Sequence, residues 1–350
     1  MPTVHIEERD VKVMLEKTSL TKRLGYIDFL KFIGLTGIII AHISPPQWLM
    51  VARSFDVPFM VILSSILAEK SYAKYIDKQI SPVNYLVNRT KRLVIPTWIF
   101  LIIYFSAYFV LSDNLFSIKY YIASFCLTRY GIGYVWIILI YLYSALLIPL
   151  FHKMKLSKKG ILLLVFLYLL YEIAYYFEIG IDNKLIETTF YYIIPYGVLT
   201  YFGYNYSRLK KIHKCIIAIV ALGIFISFGL YYWIQTGTFQ SVQIAKYPPR
   251  FYYLGFGVAI SFSLLLICEN KHFKIFDNKI VRFIAKHSMW IYLWHVLVLT
   301  AYSILDLPEI WYIKLPLVYL ASMLIVLAVN KILDIIEKGK SFKFLSYFRG

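Results

Sequence analysis

Ten stretches of mostly apolar residues recur along the chain, at 26–44, 54–69, 93–111, 132–151, 161–178, 187–204, 214–234, 250–268, 287–306 and 313–332. Each approaches the roughly 20 residues that a helix needs to cross the hydrocarbon core of a bilayer. The pattern predicts an all-α polytopic membrane protein of about ten transmembrane helices. The second stretch is short and the sixth is rich in tyrosine, so these two are the least regular members of the series. Residues 115–130 read as amphipathic and are expected to lie in the interface rather than cross it. No repeat, linker or second domain interrupts the series. The predicted organisation is a tail over 1–25, a transmembrane domain over 26–332 and a second tail over 333–350.

Charge orients this series. With residues at the ends of the stretches counted, 29 of the 37 lysines and arginines fall in the segments on one side of the ten spans and seven on the other, with Lys31 inside the first span. Short loops rich in Lys and Arg stay in the cytoplasm, so both termini are expected there. Composition removes the soluble alternative. At 60% hydrophobic and 16% charged residues, a chain of this length has more apolar surface than a soluble interior can hide. The net charge of +18 would suggest nucleic acid in a soluble protein. Here the cations sit between apolar runs, so the expected partners are anionic lipid headgroups of the cell membrane and not nucleic acid. Cys126, Cys215 and Cys268 show no paired spacing, and neither a disulfide nor a metal framework is implied. The first 25 residues are polar and lack the apolar core of a signal peptide.

Ionisable side chains within spans are costly in lipid and mark candidate chemistry. Asp28 and Lys31 stand three apart on one helical face near the cytoplasmic end of the first span, suited either to an ion pair fixing helix depth or to a direct role. His42 lies toward the outer end of the same span, ahead of Ser44-Pro45-Pro46. Imidazole suits proton transfer near neutral pH, although a histidine satisfied by a neighbouring helix reads equally well. Asp56, fourteen residues on, is placed to bond that ring. His295, in Trp290-Ile-Tyr292-Leu-Trp-His295, reads more readily as packing. Glu172 is a further ionisable group within a span. The run Asn88-Arg89-Thr-Lys91-Arg92-Leu-Val-Ile-Pro96 places three cations in four residues at the cytoplasmic face, either as topology anchors or as a phosphate site. Outside, Lys246-Tyr247-Pro248-Pro249-Arg250-Phe-Tyr252-Tyr253 joins cations to aromatics, which suits a sugar ring but also an interfacial aromatic belt.

These pieces together resemble the acyltransferase-3 family of bacterial integral membrane acyltransferases. Tyr26-Ile-Asp28-Phe-Leu-Lys31 through Ala41-His42 is similar to that family's first helix, with its acidic residue, basic residue and outer histidine. Val57-Pro58-Phe59-Met-Val-Ile-Leu-Ser64 resembles the second helix, Lys91-Arg92-Leu-Val-Ile-Pro96 the basic motif after it, and His287-Ser288-Met-Trp-Ile-Tyr292-Leu-Trp-His295 the Ser-aromatic-Tyr-His helix near the end. The segment from Lys246 to Tyr253 resembles one found in some members. Ser65 stands where a glycine commonly follows the serine, and Asp56 where a histidine or apolar residue is usual. Helix packing there, and any histidine–carboxylate pair, would therefore be particular to this chain.

The resemblance implies a multi-pass enzyme of the cell membrane that moves an acyl group, often acetyl from cytosolic acetyl-CoA, onto hydroxyls of surface polysaccharides or their lipid-linked precursors. It implies no metal. His42 would be the base; Asp56 is expected as its partner from its position in this chain, not from the resemblance. Arg89, Lys91 and Arg92 would meet the CoA phosphates, and Lys246, Tyr247 and Arg250 the glycan. Asp28, Lys31, Tyr292 and His295 would have supporting places. The rival reading is a transporter or flippase for a glycan or lipid-linked sugar, which buried ionisable groups in ten helices would also suit.

Overall fold

A computed structural model describes residues 25–112, 115–269, 271, 273–337 and 345–348. The tails predicted over 1–25 and 333–350 therefore lie largely outside the described residues. Among the described residues all regular structure is helical: α1 over 25–40, α2 Gln47–Ala52, α3 Asp56–Asp77, α4 Pro82–Ser112, α5 Ile118–Phe125, α6 Trp136–Met154, α7 Lys158–Tyr176, α8 Lys184–Tyr204, α9 Lys211–Thr236, α10 Phe251–Glu269, α11 Lys279–Lys286, α12 Ser288–Ile304 and α13 Trp311–Glu337. Each of the ten apolar stretches holds one helix. Seven helical stretches are long and apolar enough to cross a bilayer: Gln47–Asp77, which includes α3, together with α4, α6, α7, α9, α10 and α13. The apolar α12 is shorter.

Two boundaries move for a physical reason. The cationic run at 88–92 is not a loop but the second and third turns of α4, which at 31 residues is about 46 Å long. That exceeds a hydrocarbon core of about 30 Å, so one end of α4 extends beyond the apolar layer, where charge on a helix is cheap. The 115–130 segment contains only the eight-residue α5, started by Ser117, whose side chain accepts from the Tyr120 N–H.

α3 is the centre of the bundle and packs against α8, α6 and α10. In its apolar window 61% of residues are buried, against 11% in α9, whose side chains such as Ile219 and Val220 face outward. Small residues set the spacing around α3. A Cβ at Gly203 of α8 would lie 2.7 Å from the Ile62 carbonyl oxygen and 2.8 Å from Ser65 Cβ. Ser65 is thus accommodated because the glycine is on the facing helix. Gly257 of α10 likewise accepts Pro58, whose Cγ would lie 2.5 Å from an added Cβ. Pro58 sits in the first turn of α3, where its missing N–H costs no helix bond.

Candidate active site

α1 ends where its sequence requires. Ser44 takes a positive φ of 55°, and Pro45 and Pro46 cannot continue an α-helical ladder. The backbone N–H of His42 donates to the Ile39 carbonyl at 3.0 Å, a tightened last turn. The imidazole, partly exposed, projects there toward α12, where His295 is fully buried. His42 Nδ1 and His295 Nε2 are 2.9 Å apart. The two rings are inclined by only 19° with centroids 5.2 Å apart, so they meet nearly edge to edge in one plane rather than face to face. His295 Nδ1 bonds the Tyr292 carbonyl oxygen one turn earlier. The Tyr134 ring stands edge-on to His42 at 4.6 Å, and the Tyr292 hydroxyl donates to the Tyr134 carbonyl.

α1 and α12 reach this meeting point side by side. Lys31 Nζ donates to the Ala285 carbonyl, in α11 just ahead of α12, and His42 meets His295 eleven and ten residues further along the two segments. At 1.5 Å per residue the two contacts are about 16 Å apart. Asp28 acts electrostatically on Lys31 and Arg282, at the same level as the Lys31–Ala285 contact.

A cavity of about 800 Å³ occupies this interval. Lys31, Arg89, Arg92 and Lys286 line it with Asn88, Ser64 and Tyr75. Its wall then becomes apolar through Leu35, Ile38, Met60, Leu63 and Ile138, and it is also lined by Tyr141 and Tyr292. Ile38 is one turn from His42, and Tyr292 three residues from His295. Arg89 and Arg92 share this cavity because a three-residue spacing returns to one helical face. Lys91 between them is exposed and does not line it. Arg89 Nη2 donates to Ser64 Oγ at 3.1 Å.

The expected His42–Asp56 bond is not formed. An added Cβ on Gly37 would lie 3.0 Å from Asp56 Cβ, so the aspartate sits at the level of Gly37, about 7 Å along α1 before the imidazole. Its carboxylate is already held by Arg53 at 2.8 Å and by the Val57 N–H at 2.7 Å. Both partners are buried. The pairing fails because an (i, i+3) guanidinium next to a buried carboxylate satisfies it more closely than a ring about one and a half turns away.

The segment before α10 folds over this turn, with Gln243 Nε2 donating to Ser54 Oγ. Lys246 is buried, 5.2 Å from the centroid of the Tyr247 ring and 6.0 Å from that of Trp136. Burial pushes its ammonium down to about 8, opposed by the charge of Asp56. Lys246 and Arg53 both act electrostatically on the His42 ring. Tyr247 packs on Trp136 at 5.4 Å and lies under Arg129. Arg250 does not join them. Its guanidinium is held by Glu172 of α7 at 3.1 Å and lies 4.0 Å from the Tyr175 ring centroid. Glu172 also accepts the Phe251 N–H, and Tyr171 donates to the Pro249 carbonyl. Glu172 and Arg250 thus clamp the segment that carries Lys246.

The structure therefore brings together His42, His295, Tyr292 and Lys246 at one end, and Lys31, Arg89 and Arg92 at the other. Sequence reading passed over Arg53, Tyr134, Trp136 and Lys286. Arg53 carried a usable sign, three residues before a span-opening aspartate. Lys286 carried a weaker one, immediately before an apolar helix. Tyr134 and Trp136 were two aromatics among many.

The structure is a helical bundle with a cavity lined by four cations and, about one turn beyond its Ile38 and Tyr292 walls, a bonded imidazole pair. The chain belongs to the acyltransferase-3 family, whose model, described as an acyltransferase domain, matches residues 24–334. No curated protein and no solved structure matches the chain.

Proposed function

We propose that the protein is an O-acyltransferase of the cell membrane, moving an acyl group, acetyl in the first instance, from cytosolic acyl-CoA to a sugar hydroxyl of a surface polysaccharide or its lipid-linked precursor. The observation that carries this reading is the cavity, which is lined by four cations and extends to Ile38 and Tyr292, about one turn short of the bonded His42 and His295. CoA suits it by chemistry. Its phosphates match guanidinium and ammonium groups, and its pantetheine arm matches the apolar middle. The acceptor would approach from the Lys246 and Tyr247 side, and ten spans with both ends in the cytoplasm would put the cationic rim in reach of cytosolic donor.

A hydroxyl is a weak nucleophile at neutral pH and needs a positioned base. In this reaction the imidazole of His42 takes the O–H proton as the oxygen attacks the thioester carbonyl. The C–O bond forms, the C–S bond breaks, and the departing thiolate takes the proton from the imidazolium. Acyl analysis of the host's surface glycan, with and without this protein, tests the reading. Loss of acyl groups on polymer that is still exported is the expected result. Loss of the polymer itself would instead indicate a transporter.

A further inference from the structure

We propose that His295 is the positioning residue of the acyl transfer, fixing His42 in the one tautomer whose free lone pair is on Nε2. This rests on His42 being the base of the proposed reaction. The inference follows from counting donors and acceptors along a chain of three groups. The Tyr292 carbonyl oxygen can only accept, so the proton of that bond belongs to His295 Nδ1. A neutral imidazole carries one N–H and one lone pair. His295 Nε2 is therefore the lone pair, and the proton in its 2.9 Å contact with His42 belongs to His42 Nδ1. His42 Nε2 is left as the basic nitrogen, with no hydrogen bond from any described group.

The geometry supports a directional bond rather than mere contact. The centroid spacing of 5.2 Å equals the 2.9 Å nitrogen separation plus the two ring radii, so both nitrogens lie on the line joining the rings. His295 itself has no freedom to turn. It is 0% exposed, bonded at both nitrogens, and seated within α12 one turn from the carbonyl that orients it. The logic is that of a hydrolase triad, in which a third group holds the base in its working tautomer. Here a backbone carbonyl, relayed through a neutral ring, takes the place of a carboxylate. Asp56, the carboxylate that the sequence offers for that role, is engaged by Arg53. When His42 accepts a proton at Nε2, its Nδ1–H stays in the bond to His295, so the ring does not reorient between taking the proton and giving it to the thiolate.

The first test needs no turnover. Nitrogen-15 NMR of histidine-labelled protein in nanodiscs, with His42 assigned by its loss in His42→Ala, should show a protonated Nδ1 and an unprotonated Nε2. The opposite tautomer, or an even mixture, overturns the proposal even if acyl transfer is confirmed. Conversely, a protein that transfers no acyl group but shows this tautomer would fail the proposed function and leave the relay standing. The second test is a rescue. His295→Ala should lower kcat roughly 10- to 100-fold while donor KM stays within about twofold, since a freely rotating imidazole divides its lone pair between two nitrogens and two orientations. His295→Gln, which can still accept from Nδ1–H, should lose less. In the His295→Ala background, Nδ-methylhistidine at position 42 locks the lone pair on Nε2 covalently and should recover much of the loss. The Nε-methyl isomer, with that nitrogen blocked, should recover none. Equal failure of both isomers, or full activity of His295→Ala, would sink the relay.

Discussion

Arg89, Lys91 and Arg92 make one basic cluster in the sequence and two different environments in the fold. Only the arginines line the cavity, so the donor site should separate them. Replacing Arg92 with Ala removes a charge-assisted contact to phosphate and should weaken acetyl-CoA binding by about 1–2 kcal/mol, allowing for its exposure to solvent. Lys91→Ala should leave donor affinity within about twofold. Calorimetric titration of the two variants decides the point, and equal losses would mean a diffuse basic patch. At the other end of the cavity, His42→Ala should reduce acyl transfer by roughly 10²–10⁴-fold while the protein still inserts. His42→Gln should do no better, because an amide cannot take the proton. Lys246 gives a pH test. Its ammonium faces Trp136, Tyr247, Arg53 and Asp56, and burial holds it at about 8. The cation is present below that pH and lost above it. If Lys246 binds the acceptor as a cation, acceptor KM should rise about tenfold between about pH 7 and about pH 9. Lys246→Arg, charged throughout, should flatten that rise.

Helices obeyed the apolar pattern because lipid imposes it: every backbone polar group in the core must be paired within its own segment. The pattern misplaced the start of α4, whose Pro82–Arg92 turns are helical ahead of the apolar stretch. The tyrosine-rich stretch at 187–204 is a helix like the rest: Tyr191, Tyr201 and Tyr204 bond the Ile179 carbonyl, the Lys155 carbonyl and the His152 ring, while the buried hydroxyls of Tyr192 and Tyr196 have no hydrogen-bond partner among the described residues. The candidate site was legible in part. His42 was visible as a lone titratable group near a helix end, and Arg89 and Arg92 as a cluster. The His42–His295 bond was not, since 253 residues separate its partners and no local period encodes which helices lie side by side. Asp56 misled for a related reason: proximity in sequence suggested a bond that Gly37 and Arg53 together preclude. Two element-level outcomes follow. Gly203→Ala should lower the thermal stability of the detergent-solubilised protein by about 1–3 kcal/mol through overpacking against Ile62, and Ser65→Gly in the same chain should restore part of it. Arg250→Ala and Glu172→Ala should each slow acyl transfer by a similar factor, with the double variant no worse, because the two act as one clamp. Strictly additive losses would give Arg250 a separate role at the acceptor.

On the proposed function the whole molecule would place donor and acceptor on opposite sides of a single imidazole pair, which has meaning only if those sides face different compartments. A reporter fused after Gly350 should therefore read as cytoplasmic and one inserted at Ser241 as external. Both on one side would end the ten-span arrangement. The parallel course of α1 and α12 adds a requirement of reach. Lys31 lies on α1 and His42 in the turn that ends it, eleven residues and about 16 Å apart, so on the proposed function a donor would hold the cationic end of the cavity and present its carbonyl to the base across that gap. Acetyl phosphate carries its anion and its acyl group too close together to do both, and should not serve as a donor even at high concentration. An N-acetylcysteamine thioester has part of the arm and no anion, and should give weak transfer because no distant contact anchors it. The protein would thus choose its donor by length as much as by charge, with the helix as the gauge.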